Sequence, residues 1–419
     1  MPETRAGKRL LVIEEALKDF VGHWYEYVRA VAEIARADGA EVTVVGHTRA
    51  SEALRRELGV RPVLPRSPWD GDYRKTSGFW RKLGIPRHTW LMFWRLRAVL
   101  RSEAPFDCTF VPTVFIFHVW ALRLLYGLYP HRLGRLVLLI RNNVAGYQPD
   151  STTPQFGRVA RFLAWGIRSF SGHVAAGRVV FATDSARLAE EYWRLTGIAF
   201  SVFPSPRIAA PPAARGNRKR AGPVLFACLG PARFEKGIDV LQEAIALYLA
   251  DAANPPARFL IQWPLPIKTA AGEPYEPDPV LVASGQVEYL TEPLDSADYD
   301  ARLASIDCMV LPYRRSSYYA RISGVAVEAV TAGIPVISTA DTWTSDLVET
   351  SGAGLSVADR DAAGLARAMA ELARDYPAFR AAAAARAEAA AAAHSGAAFL
   401  ERLWGETVAP RPLPVTPGR

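Results

Sequence analysis

"CMVLPYRRSSYYARISGVAVEAVTAGIPVIST", residues 308–339, decides the fold. CMVL is a short apolar run stopped by Pro312, which reads as a buried strand. A polar loop with three arginines follows. GVAVEAVTAG then predicts a helix closed by Gly333, and PVIST predicts a second strand. Two parallel neighbours need a crossover between them, and a helix supplies it. The stretch is therefore one unit of a parallel α/β sheet.

It also raises a question of function. Glu328 is the one acid in a run of Ser, Gly, Val and Ala. Ser323 and Gly324 sit at the helix start, where small residues let a phosphate or carboxylate approach the free N–H groups. Glu328 lies one turn further on, on the same face as Gly324. A carboxylate there can accept hydrogen bonds from a pair of ligand hydroxyls, such as a ribose diol. An isolated buried acid is costly, so partners for it are expected. Arg321 adds a cation to the same loop.

The same grammar extends outward in both directions. RLLVIEEA, EVTVVG, DCTFVP, RLVLLIR, RVVFATD and FSVFP precede the stretch, as do PVLFACLG, RFLIQWP and VEYLT nearer to it. Such short Val/Ile/Leu/Phe runs separated by helices are what buried parallel strands require. A helix is expected from about Trp24 to Asp38, and another in DSARLAEEYWRLTG, closed by Gly197. The Ala-rich stretch near 361–399 reads as one or two helices. Only "PSPRIAAPPAARGNRKRA", 204–221, breaks the rhythm, and its Pro, Ala, Gly and Arg content marks a linker. The expected organisation is two Rossmann-like domains, 1–206 and 222–400, joined by 207–221. A Pro-rich tail, 401–419, would lie back on the first domain. A cleft between the domains is the expected ligand site.

Composition excludes several classes. The 419 residues are 50% hydrophobic, far above a disordered chain. The 3 cysteines, Cys108, Cys228 and Cys308, fall in or beside strands without metal-ligand spacing and read as core residues of a reducing compartment. The N-terminal apolar run, LLVI, has only four residues, which suits a first strand and not a signal peptide. No 18-residue uncharged apolar stretch exists to span a bilayer. The histidines show no ligand spacing, and "DGD" at 70–72 lacks a flanking strand, so no metal is expected. Residues 1–210 carry 30 Lys+Arg and 18 Asp+Glu, and within 61–101 there are 10 basic and 2 acidic side chains. They interleave with Trp69, Phe79, Trp80, Trp90, Phe93 and Trp94. This suits an anionic membrane surface or a phosphorylated substrate, and less well nucleic acid, for which no recognised module is present.

"FACLGPARFEKGIDVLQEA", 226–244, has the same strand–loop–helix layout as the opening stretch. Gly230 lets the backbone turn, Arg233 and Lys236 place two cations in the loop, and Gly237 opens the helix. A diphosphate fits such a loop. The glycine spacing is neither that of a phosphate-loop nor of a dinucleotide site.

Taken together, these residues resemble the retaining family 4 glycosyltransferases with the GT-B fold, most closely at 224–240 and 307–350. The resemblance implies that Gly230, Arg233 and Lys236 hold the diphosphate of a nucleotide sugar, with UDP and GDP both open. Arg321 adds to that charge, Ser323, Gly324 and Val325 lie against the diphosphate, and Glu328 takes the ribose hydroxyls. Gly22 would bring the first loop close to the donor, and His23 would meet donor or acceptor. The family pairs Glu328 with a second Glu eight residues earlier, where this chain has Ala320. Tyr319 and Arg321 are then the substitutes for shaping the sugar pocket. A family His of the first domain is replaced in LLIRNNVAG by Arg141 and Asn142. Arg141 cannot serve as a base, but it can steady a departing phosphate or an anionic acceptor. The implied activity is transfer of a sugar to a glycan or lipid-linked acceptor by a cytoplasmic protein, peripheral on the inner face of the membrane. A GT-B epimerase and a non-catalytic nucleotide-binding or scaffold protein are the alternatives.

Overall fold

The computed structural model of the chain describes residues 5–20, 23–69, 79–148, 151–206, 222–264, 266–269, 271–352 and 354–405. It divides into two compact units. The first comprises 1–146, 154–208 and 394–419, and the second 147–153 and 209–393.

The first unit is built on seven parallel strands: β1 (Arg9–Ile13), β2 (Glu41–His47), β3 (Val60–Leu64), β4 (Cys108–Val111), β5 (Arg135–Leu139), β6 (Val179–Thr183) and β7 (Ser201–Val202). Their order is β3-β2-β1-β4-β5-β6-β7. Growth in both directions from β1 places a reversal of winding beside it, where open α/β sheets gather their functional groups. The helices α1 (His23–Ala37), α2 (Phe79–Ser102), α3 (Ile116–Leu128), α4 (Arg158–Arg168) and α5 (Ala186–Thr196) flank the sheet. Leu10, Val12, Cys108, Phe110, Val137 and Leu139 form part of one fully buried core.

The second unit repeats the plan with β8 (Val224–Cys228), β9 (Ala257–Gln262), β10 (Val287–Leu290), β11 (Cys308–Leu311), β12 (Val336–Thr339) and β13 (Gly354–Val357). Their order is β10-β9-β8-β11-β12-β13, all parallel. Its helices are α6 (Ile238–Ala250), α7 (Ser296–Ser305), α8 (Gly324–Thr331), α9 (Trp343–Ser351), α10 (Ala362–Arg374) and α11 (Tyr376–Ala393). Alternation along each strand serves two cores. Phe226 and Cys228 of β8 face one side and Ala227 the other, and Cys308 and Val310 of β11 oppose Met309 and Leu311. Both faces are apolar, which is why these strands read as unbroken hydrophobic runs. All three cysteines are buried and free.

The last helix, α12 (Gly396–Trp404), departs from the expected boundary at residue 400, because it belongs to the first unit. Phe399, Leu400 and Leu403 enter that unit's core, and Gly396 lies against Ile34, where an added Cβ would stand 2.7 Å from Cγ2. The expected linker, 207–221, and the tail beyond Gly405 lie outside the described residues. No helix among the described residues is long and apolar enough to cross a membrane.

Candidate nucleotide-sugar site

The second unit joins the two stretches singled out in the sequence. β8 ends at Cys228, and Gly230 turns the chain with φ +82, a left-handed conformation that favours glycine. Its N–H donates to Gln262 Oε1 at 2.6 Å, which anchors the loop to the end of β9. A Cβ on Gly230 would stand 3.1 Å from Lys236 Nζ and 3.1 Å from Val325 Cγ2. The loop after β8 and the start of α8 are thus in contact, although 95 positions separate Gly230 from Val325. Gly237 has φ +68, and a Cβ there would collide with Pro312 O at 1.9 Å. Only glycine lets this loop close onto the segment that follows β11.

Three cations gather here. Lys236 ends the short 3₁₀ turn Phe234–Lys236, and its Nζ lies 5.7 Å from the centre of the buried Tyr313 ring. Burial pushes the ammonium down to about 8, and the guanidiniums of Arg233 and Arg321 push the same way. Arg233 is exposed, and Arg321 is half-buried with its guanidinium 5.1 Å from the Tyr318 ring. Both arginines converge on one oxygen, Glu235 Oε1, from 3.7 Å and 3.5 Å. Arg314 fastens the loops from behind: it pairs with Asp239 of α6, lies over Phe234, and its N–H donates to Glu235 O at 3.1 Å.

α8 begins as its sequence predicts. Ser323 is the N-cap, and its hydroxyl accepts from Ala326 N at 3.2 Å. Helix geometry leaves the N–H groups of Gly324 and Val325 without intrahelical acceptors. Gly324 is exposed, and a Cβ built on it meets nothing within 4 Å, so the helix start opens on free space. Glu328, half-buried one turn along, accepts a hydrogen bond from the Tyr299 hydroxyl of α7. Nothing in the spacing of the sequence pointed to Tyr299, Arg314 or Glu235. Ala320 is buried, and the half-buried Tyr319 beside it lies 4.7 Å from the Tyr147 ring, which clusters with the second unit.

The first unit holds a separate polar cluster at the carboxyl ends of four adjacent strands. Arg141 follows β5, and its Nε donates to Asp184 Oδ2, just beyond β6, at 3.0 Å. Its guanidinium lies 4.5 Å from the Tyr27 ring centre. Glu14, immediately after β1, is buried and bonded by Thr113, and burial raises its carboxyl to about 7. Glu15 Oε2 meets His88 Nε2 at 2.8 Å, and its Oε1 lies 3.5 Å from His118 Nε2. Phe115 N–H donates to His118 Nδ1, which leaves the proton on Nε2. Asn142 is held through its carbonyl, which accepts from the Tyr192 hydroxyl at 2.9 Å. The signal for this cluster was the acid pair directly after the apolar run LLVI. Gly22 and the 70–72 segment lie outside the described residues, as does the side chain of His23.

Comparison with known proteins agrees with this layout. The profile of the family described as Glycosyl transferases group 1 matches residues 223–375, which lie in the second unit. No curated protein matches the chain by sequence. Among solved structures, the chain is similar to sucrose-phosphate synthase from Thermosynechococcus elongatus, with TM-score 0.63 and 16% identity over 95% of this chain and 98% of that one. It is similar to Anabaena Alr3699/HepE in complex with UDP, with TM-score 0.62 and 14% identity over 95% and 99%. A third likeness is to α,α-trehalose 6-phosphate synthase from Burkholderia multivorans, with TM-score 0.62 and 14% identity over 95% and 98%. The chain has the GT-B fold of two Rossmann-like domains, and its second domain carries the group 1 glycosyl transferase pattern.

Proposed function

We propose that this protein is a retaining glycosyltransferase that moves a sugar from a nucleotide-diphosphate sugar to a hydroxyl of a glycan or lipid-linked acceptor. One observation carries the reading: Gly230, Lys236 and Val325 meet at the start of α8, Arg233 and Arg321 converge on Glu235 next to Lys236, and Glu328 lies one helical turn along α8. Cations, free N–H groups and a carboxylate in that order match a diphosphate followed by a ribose diol. The solved Anabaena relative is described as a complex with UDP, which supports a uridine or similar nucleotide.

In this reading the bond from the anomeric carbon to the diphosphate oxygen breaks, and one from that carbon to the acceptor oxygen forms on the same face. The acceptor's proton passes to the departing phosphate, so no protein nucleophile is needed. Arg233 and Lys236 stabilise the charge growing on the leaving group. Arg321 and the N–H groups of Ser323 to Val325 position it, and Glu328 holds the ribose. Tyr319 borders the sugar. Gly22 is assigned to the donor, His23 and Asn142 to the donor sugar or the acceptor, and Arg141 to the departing phosphate or an anionic acceptor. Arg141 has its charge balanced by Asp184, so its contribution is directional hydrogen bonding more than net charge.

Titration of the purified chain with UDP, GDP and their sugars tests the reading. Micromolar binding of a nucleoside diphosphate, lost in Lys236→Ala, is expected; no binding to any of them overturns it. The buried Ala320 favours one competing reading, a nucleotide-binding protein without turnover. Binding without sugar release or transfer to any acceptor would select that reading.

A further inference from the structure

The first unit bears an exposed aromatic face that the sugar-transfer reading does not use. Trp120 of α3 stacks on Phe162 and packs at a tilt against Trp165 of α4, with ring centres 5.3 Å and 4.8 Å away. Gly166 allows this close packing, since a Cβ there would stand 3.0 Å from Val119 Cγ1. Arg123 Nε donates to Ser169 O at 3.0 Å and ties α3 to the end of α4. Trp165 is nevertheless 62% exposed, Val159 65% and Leu128 59%, with Leu124 and Phe162 also open to solvent. On the neighbouring helix α2, Trp90 is 57% exposed, and Trp94 beside it carries the Arg97 guanidinium 5.0 Å from its ring centre. Arg97 Nε in turn donates to the Tyr129 hydroxyl at the end of α3.

Charge says what covers this face. α2, α3 and α4 contain ten Lys and Arg and no Asp or Glu. Residues 79–183 together hold 14 Lys+Arg and 3 Asp+Glu. A second copy of the chain would bring like charge against like charge. Large apolar side chains exposed together mark an interaction site, and indole, leucine and valine rimmed by arginine match the headgroup level of an anionic bilayer. Nucleic acid is less well served, because Leu124, Leu128 and Val159 offer no ring on which a base can stack.

We propose that the α3–α4 face, extended by Trp90 and Trp94 of α2, docks on an anionic lipid surface. The face includes Trp90 and Trp94 of the basic, tryptophan-rich stretch foreseen at 61–101. Phe93 of that stretch is packed inward, and Trp69, exposed in part, lies 5.1 Å from Trp24 and 5.9 Å from Phe115. The face also recruits α3 and α4, which lie outside that stretch.

Flotation of the full chain with vesicles of phosphatidylcholine, with and without phosphatidylglycerol, tests the proposal. Wild type should float about tenfold more with the anionic vesicles and release as salt rises. Phe162→Ala/Trp165→Ala and, separately, the charge reversal Arg158→Glu/Arg161→Glu should each lower bound protein at least fivefold. Binding of a nucleoside diphosphate and melting temperature report that the variants are folded. Failure of wild type to float, or equal flotation of wild type and both variants, overturns the proposal. Binding to a single-stranded oligonucleotide in place of vesicles, with the same dependence on the two variants, overturns it as well.

Discussion

The ammonium of Lys236 stands 3.1 Å from the point where a β-carbon on Gly230 would lie. Gly230 therefore contributes both a left-handed turn and the room that the cation occupies. Gly230→Ala forces an L residue to φ +82 and crowds the ammonium. A non-glycine residue in that region costs about 1–2 kcal/mol. The expected result is a fall of a few degrees in melting temperature, with a roughly tenfold loss of nucleoside-diphosphate affinity, about 1.4 kcal/mol. Calorimetric titration together with a melting curve checks both. Full affinity in a destabilised protein would assign Gly230 to the fold alone.

The depressed Lys236 predicts a pH dependence with a definite sign. The folded ammonium titrates near 8 against 10.5 ordinarily, because burial disfavours its charge. Between these values the unfolded chain holds the extra proton, so the contribution of Lys236 to stability rises with pH across that window. Ligand binding runs the other way. A diphosphate needs the charged ammonium, so affinity should be flat below pH 8 and fall by up to tenfold per unit above it. Lys236→Met should bind weakly with a flattened profile. Measuring Kd from pH 6.5 to 9.5 for both proteins decides it, and a parallel decline in the variant would remove Lys236 as the source.

The sequence showed the sheets more clearly than the site, for physical reasons visible in single residues. Both β8 and β11 are apolar on two faces, so they appeared as unbroken runs; β3, VRPVL, carries Arg61 and Pro62 and gave no such run. α12 follows the Ala-rich helix after only His394 and its N-cap Ser395, and its contacts with Ile34 and the first core reveal where it belongs. Gly230, Lys236 and the start of α8 were legible because glycine turns and N-caps are local signals. Tyr299 reaches Glu328 across 29 positions, Arg321 reaches Glu235 across 86, and His88 reaches Glu15 across 73. Such pairs follow from topology, and no spacing rule on one chain finds them.

Glu235 occupies with its own carboxylate the position where the two arginines proposed to hold a diphosphate converge. Arg233 and Arg321 are both attracted to its Oε1, and an incoming diphosphate competes for the same guanidiniums. Ion pairs this open to solvent are worth about 0.2–1 kcal/mol. Glu235→Gln should therefore tighten pyrophosphate and nucleoside-diphosphate binding by about two- to fivefold. The gain should shrink at high salt, since the removed charge is screened there. Competition titration at two ionic strengths provides the readout. Weaker binding in the variant would mean that Glu235 serves to aim the arginines and not to oppose the ligand.

Tyr299 fixes the direction of the carboxylate assigned to the ribose. Its hydroxyl donates to Glu328 Oε2 and so restrains the carboxylate that the sugar-transfer reading assigns to a ligand hydroxyl. Losing a hydrogen bond to a charged partner costs about 1.5–3 kcal/mol when the partner is left unsatisfied. Glu328 is half-buried, so water recovers part of that cost. Tyr299→Phe keeps the ring and removes only the donor. The expected effect is a three- to tenfold rise in KM for the nucleotide sugar, with kcat within about twofold, because the sugar and leaving group are untouched. Glu328→Gln should raise KM further, and the double variant should add little beyond it, since both changes act on one interaction. Additive losses in that cycle would show that Tyr299 contributes by some route other than orienting Glu328.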